Sequence, residues 1–178
     1  MTPARYPDGT ERRAGIELRA AGRKLTGYAA VFGVPDKIGT FTETVSFGAF
    51  RASLASGADV LALVDHDPGR LLGRTSSGTL RLAEDTRGLA FEIDLPDTAL
   101  GRDMLALAER RDLGGMSFAF RATDEAWPAS DRRELRAVSL LEISVVQAWP
   151  AYAQTSVQAR SRPAGIGPRA RLLILRSL

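Results

Sequence analysis

His66 is the only histidine in the 178-residue chain, and it closes the apolar run Val60-Leu61-Ala62-Leu63-Val64-Asp65-His66. Imidazole is the side chain that most readily exchanges a proton near neutral pH, and a hydroxyl needs such a neighbour to become a nucleophile. Base-assisted chemistry in this chain therefore has to use His66. A serine in a suggestive setting stands in Gly114-Gly115-Met116-Ser117-Phe118-Ala119-Phe120, where Ser117 follows a glycine pair and enters a strand-like run. Gly114 and Gly115 let the backbone approach a substrate closely, and N–H groups there are candidate donors to an oxyanion. A nucleophile, a base and a group that orients the base define acyl transfer, and geometry rather than chain order identifies them. Glu142, on an otherwise apolar segment, either points into water or faces His66 and holds its second ring nitrogen. The residues alone leave both options open, as they leave open a purely structural His66.

Other chemistries drop out. Gly115-x-Ser117-x-Ala119 has the outline of a nucleophile elbow, but that motif needs strand, sharp turn and helix in order. Here a helical stretch precedes the glycines and a strand follows them. No histidine follows Ser117, so the α/β-hydrolase arrangement is excluded. A metal reading of Asp65-His66-Asp67 is possible but weak, because neighbouring side chains on a strand point to opposite faces. With no cysteine and one histidine, zinc is not expected, and no metal or other cofactor is called for. The glycines of Gly165-Ile166-Gly167-Pro168-Arg169-Ala170 follow no strand and include a proline, so the dinucleotide fingerprint is rejected.

The formal net charge is only +3, yet residues 157–178 contain five arginines and no acid. The plain reading is a solvated tail; the alternative is a segment that docks an acidic partner or a nucleic acid. No strand interleaves aromatic and basic residues as single-strand binders do, so nucleic acid is not the expected partner. The first residues are polar, without the apolar core of a signal peptide. No apolar run approaches the roughly 18 residues that suggest a membrane-spanning helix. A cytoplasmic protein is expected, and 44% apolar residues suffice for one ordinary core.

These groups must be positioned by short elements. Residues 1–23 read as a frayed arm, and 25–33 as a strand. Residues 47–56 read as a helix behind Ser46 as cap. Residues 59–65 read as a strand buried on both faces, closed by a turn at Asp67-Pro68-Gly69-Arg70, with a short strand at 71–74. Alternation at 78–83 and 88–95 around Glu84-Asp85-Thr86-Arg87 reads as a hairpin. Leu100, Met104, Leu107 and Ala108 make the stripe of a helix over 97–111, capped by Asp97 or Thr98. Strands follow at 116–123 and 134–148. On the first, Met116, Phe118 and Phe120 face away from Ser117, Ala119 and Arg121; on the second, Leu141, Ile143 and Val145 oppose Glu142, Ser144 and Val146. Trp149-Pro150-Ala151-Tyr152 ends the run. The expected class is mainly β (α+β): a closed or partly closed antiparallel barrel of six to eight strands with two or more flanking helices.

Gly27-Tyr28-Ala29-Ala30-Val31-Phe32, Phe47-Gly48-Ala49-Phe50, Asp65-His66-Asp67, Gly115-Met116-Ser117-Phe118, and Leu141-Glu142-Ile143-Ser144-Val145-Val146 with Pro150-Ala151-Tyr152 occur in this order. This succession resembles the tailed-phage prohead protease family, which shares its fold with the herpesvirus assembly proteases. The resemblance runs from Leu25 to Thr155. It implies a domain over 25–159 between an N-terminal arm (1–24) and a basic tail (160–178). It further implies a serine endopeptidase inside assembling proheads that cuts the scaffold, or the scaffold-like N-terminal region of the major capsid protein, and itself, with self-association as a further expectation. Carried over by position, it makes Ser117 the nucleophile, His66 the general base and Glu142 the third member, with Arg121 or Arg136 as candidate oxyanion helpers. A non-catalytic assembly factor that keeps the protease fold is the alternative from another class.

Overall fold

The computed structural model describes residues 9–15 and 17–148. Its elements are β1 (Glu11–Gly15), β2 (Glu17–Ala21), β3 (Lys24–Val31), β4 (Asp36–Ile38), β5 (Phe41–Val45), α1 (Arg51–Ala55), β6 (Leu61–Val64), β7 (Asp67–Arg74), β8 (Leu80–Glu84), β9 (Gly88–Asp94), α2 (Ala99–Arg110), β10 (Gly115–Ala129) and β11 (Arg132–Val146). The strands form two sheets. One has four strands in the order β2-β3-β9-β8. The other has seven and is organised by β11, which pairs antiparallel with β10, while β1 adds outside β10.

β11 is long enough to take two parallel partners in succession on its other side. β5 pairs with Arg132–Leu135, and β6 pairs with Glu142–Val145. β5 (Phe-Thr-Glu-Thr-Val) and β6 (Leu-Ala-Leu-Val) are strand-forming because β-branched and large side chains pack well on a pleated surface. Met116, Phe118, Phe120, Leu135, Val138, Leu140, Ile143 and Val145 turn into one hydrophobic core. There Phe118 stacks on Phe120 at 5.2 Å and meets Phe50 edge-on at 5.6 Å. Burying such an aromatic contributes roughly 1.5–3 kcal/mol over leaving it exposed.

The mainly β expectation stands, with the two helices α1 and α2. Eleven strands replace the six to eight expected, two of the pairings are parallel, and no closed barrel is traced among the described residues. The frayed reading of residues 1–23 is corrected for 11–15 and 17–21. These charged segments are strands because their partners β10 and β3 supply the ladder, and local periodicity never sees a partner. The helix expected from 47 begins only at Arg51, after consecutive turns, and Ser46 does not cap it: its N–H donates to the Leu135 carbonyl. The turn placed at Asp67-Pro68-Gly69-Arg70 lies instead at Asp65-His66, and those four residues belong to β7. The hairpin β8–β9 and the helix α2 fall where the pattern put them, α2 capped by Thr98, whose Oγ accepts from the Gly101 N–H. Residues 149–178, including the Trp149-Pro150 break and the arginine tail, lie outside the described residues.

A β-bulge decides which face of β11 carries polar groups. Ala119 pairs with Glu142 but Phe120 pairs with Leu140, so Leu141 is an extra residue in the ladder. The inward parity therefore changes from Val138 and Leu140 to Ile143 and Val145. Leu141, expected on the face of Ile143, is half-buried outside that core. Bulges of this kind re-aim side chains and concentrate near functional sites.

Candidate active site

Ser117 lies in β10 between β1 and β11, opposite Ala14 on one side and Ser144 on the other. Residues directly opposite in an antiparallel ladder share a face, with Cβ atoms about 4.5–5.5 Å apart. Ser117, Ala119, Glu142 and Ser144 thus lie together on the sheet face away from the phenylalanine core. The glycine before them has a backbone reason. Gly115 holds φ +125°, a conformation that L side chains rarely adopt.

His66 reaches this face from a turn. Val64 and Asp67 pair, leaving Asp65 and His66 as the two-residue connection, with φ +53° and +62°. Positive φ at both central residues is the requirement of a type I′ hairpin, which matches the twist of the strands it joins. Asp and His tolerate the left-handed region better than most residues. Such a backbone persists only where its surroundings enforce it. Here the end of β11 does so. The Asp65 N–H donates to the Val145 carbonyl (2.9 Å), the Gln147 N–H donates to Asp65 Oδ1 (2.9 Å), and the His66 N–H donates to Ser144 Oγ (3.1 Å). Arg70 adds an ion pair to Asp65 Oδ2 at 2.9 Å.

The imidazole then meets Glu142: His66 Nδ1 lies 2.5 Å from Oε1. The other carboxylate oxygen, Oε2, accepts from the Ser144 hydroxyl at 2.6 Å. A carboxylate on Nδ1 fixes the tautomer that leaves Nε2 as the basic nitrogen. Nε2 is buried and has no hydrogen-bond partner. Buried polar atoms are nearly always paired, and an exception calls for an explanation. The Ser117 hydroxyl is also fully buried, and it donates to the Arg13 carbonyl of β1 at 2.7 Å.

The structure thus joins His66 to Glu142 directly, and brings Ser117 to the same face beside Ser144. It does not link Ser117 to Nε2 by a hydrogen bond. The Gly114 N–H is occupied by the Val146 carbonyl (2.8 Å). Arg121 is exposed farther along β10. Arg136 is exposed on β11 six residues before Glu142, about 20 Å away at strand spacing, and its guanidinium pairs with Glu134 at 3.2 Å. A cleft of about 720 Å³ lies between β2 and the end of α2; Gly115 lines it, but Ser117, His66 and Glu142 do not. Sequence reading missed Ser144 as a contact of the imidazole–carboxylate pair. The available signal was its spacing of two from Glu142, which puts both on one face.

An imidazole held by a carboxylate, on a sheet face that also carries a buried serine, supplies the residue types that serine-hydrolase chemistry needs. Comparison with known families agrees: the model of the caudovirus prohead serine protease family matches residues 12–165, and the chain belongs to that family. Searches of curated proteins and of solved structures each found no match.

Proposed function

We propose that this chain is a serine endopeptidase that processes capsid proteins during phage prohead maturation, with Ser117 as nucleophile, His66 as general base and Glu142 as the group that orients the base. One observation carries the reading: a half-buried imidazole whose Nδ1 is bound to Glu142 and whose buried Nε2 is unpartnered, on the sheet face that also holds Ser117. In the reaction the Ser117 hydroxyl leaves the Arg13 carbonyl, turns about its Cα–Cβ bond toward Nε2 and gives up its proton as Oγ attacks the peptide carbonyl. The imidazolium, stabilised by Glu142, passes that proton to the departing amine. Water then hydrolyses the acyl-enzyme by the same route. The substrates in this reading are the scaffold or the scaffold-like N-terminal region of the major capsid protein, met inside assembling proheads, with the enzyme itself as a further substrate. The described residues contain no helix long and apolar enough to cross a membrane.

Replacing Ser117 with Ala tests the assignment. Co-expressed with the capsid subunit and read by intact mass, S117A should lose processing by a factor on the order of 10⁶. Processing at the wild-type rate would remove Ser117 from the mechanism. A second reading, a non-catalytic assembly factor with the protease fold, draws on the complete burial of Ser117 and its bond to β1. Fluorophosphonate labelling of Ser117 in the wild-type chain, absent from S117A, separates the two.

A further inference from the structure

We infer that Ser144 is a positioning residue of this site, the group that sets both ends of the base–carboxylate pair; the inference rests on the triad reading above. Ser144 is fully buried on β11, directly across the ladder from Ser117. Its hydroxyl has one hydrogen to give and two lone pairs to receive with. The hydrogen goes to Glu142 Oε2 at 2.6 Å, and a lone pair takes the His66 N–H at 3.1 Å.

These two bonds restrict different freedoms. Glu142 has three side-chain torsions, and its carboxylate can meet Nδ1 in more than one way. With Oε2 tied to Ser144, Oε1 is the oxygen left for the imidazole. His66 sits in a left-handed turn at φ +62°, and the bond from its N–H to β11 holds the whole residue, not just its ring, over the ladder. Among the described residues Glu142 has no hydrogen-bonding partner besides His66 and Ser144, so no second group fixes its carboxylate against the ring. Ser144 acts on the Nδ1 side of the ring: its hydroxyl is bound to the carboxylate that holds Nδ1, and moving it to Nε2 would release the group that orients the base, whereas the Ser117 hydroxyl leaves only a backbone carbonyl. Small displacements of a catalytic base cost heavily in rate, about 100-fold for a shift near 1 Å.

Because His66 is the only histidine, its ring nitrogens give an unambiguous signal in a ¹⁵N-histidine-labelled full-length chain. In the wild type the neutral ring should be a single tautomer, protonated at Nδ1, with a slowly exchanging low-field proton. In Ser144→Ala that proton should exchange rapidly and both tautomers should appear, while fluorophosphonate labelling of Ser117 slows about 10-fold to 100-fold. Ser144→Thr, which keeps the hydroxyl, should restore the single tautomer. Should the alanine variant not fold, Ser144→Cys, near in size but a much weaker donor, carries the same comparison. An unchanged ring spectrum in the folded variant overturns the inference, as does loss of labelling with the tautomer intact. If S117A still processes capsid protein, the triad reading fails separately, and the ring spectrum still decides what Ser144 does to His66.

Discussion

The seven-stranded sheet holds two buried polar regions, and they differ in completeness. One is an ion cluster. Arg133 of β11, fully buried, binds Glu11 of β1 (Nη2 to Oε1, 2.7 Å), Glu43 of β5 (Nη1 to Oε2, 2.9 Å) and Glu125 of β10. Arg13 of β1 binds the same Glu43 (Nη2 to Oε2, 2.6 Å) and Glu11 (2.9 Å), and turns Nη1 to the Arg12 carbonyl at 2.8 Å. The other region is His66, Glu142, Ser144 and Ser117. In the cluster every nitrogen of both guanidinium groups has an acceptor. In the second region the network stops at one basic nitrogen. Saturated charge networks hold strands together, because opening one strands a charge away from water. An unpartnered nitrogen at the end of an otherwise ordered chain of bonds is a place where a proton can arrive. Arg13 belongs to both regions: its side chain is in the cluster, and its carbonyl receives the Ser117 hydroxyl.

The contrast predicts opposite consequences of mutation. Glu142→Gln keeps the size of the side chain but can present its amide to Nδ1 and favour the wrong tautomer. Processing of the capsid subunit, or labelling by a fluorophosphonate, should fall about 10⁴-fold with the unfolding midpoint little changed. Wild-type turnover in that variant would make Glu142 a structural residue like those of the cluster. Arg133→Ala should do the reverse. It leaves Glu11 and Glu43 as buried carboxylates short of a partner, so denaturant unfolding should show a loss of about 3–5 kcal/mol. A loss below 1 kcal/mol would mean that the cluster is not what secures β1.

Acid sharpens the same distinction by a smaller amount. Burial pushes the Glu11 carboxyl upward, but the Arg133 hydrogen bond and the charges of Arg13 and Arg133 outweigh it, so its pKa in the folded chain lies below the ordinary 4.5. A carboxyl depressed by folding adds stability that is complete above its unfolded value and disappears as pH falls through the folded one. Unfolding free energy should therefore decline below about pH 4.5, and Glu11→Gln, tested by denaturant titrations between pH 3 and pH 7, should lower the plateau and flatten that decline. An unaltered slope would assign the acid sensitivity to other carboxyls. Among these, Asp59, exposed and bound to Arg74 and to the Ser76 N–H, is lowered to about 2.

Much of the scaffold could be read locally. The β8–β9 hairpin follows from strict alternation around a polar loop, and α2 from a 3.6-residue stripe with Thr98 before it. Residues 11–15 and 17–21 could not be read this way, since their charges suggest solvent and only distant partners make them strands. The ion cluster was illegible for the same reason. Arg133 and Glu11 are 122 positions apart, and no spacing rule spans that distance. The Asp65-His66 turn was masked by Pro68-Gly69, the more familiar turn residues, although those lie in β7.

The sequence by itself determined the inventory: one imidazole, no thiol, a serine behind two glycines, a carboxylate two positions from another serine, and enough alternation to make a mainly β protein. These are properties of residue type and short-range period, which the chain carries whatever its fold. Tertiary structure decided which of them meet. The extra residue at Leu141 chose the face for Glu142, and the parallel pairing of β6 with β11 delivered His66 to it. Register and bulge are set by packing across strands far apart in the chain, and a shift of one residue would have turned the same groups to the opposite face.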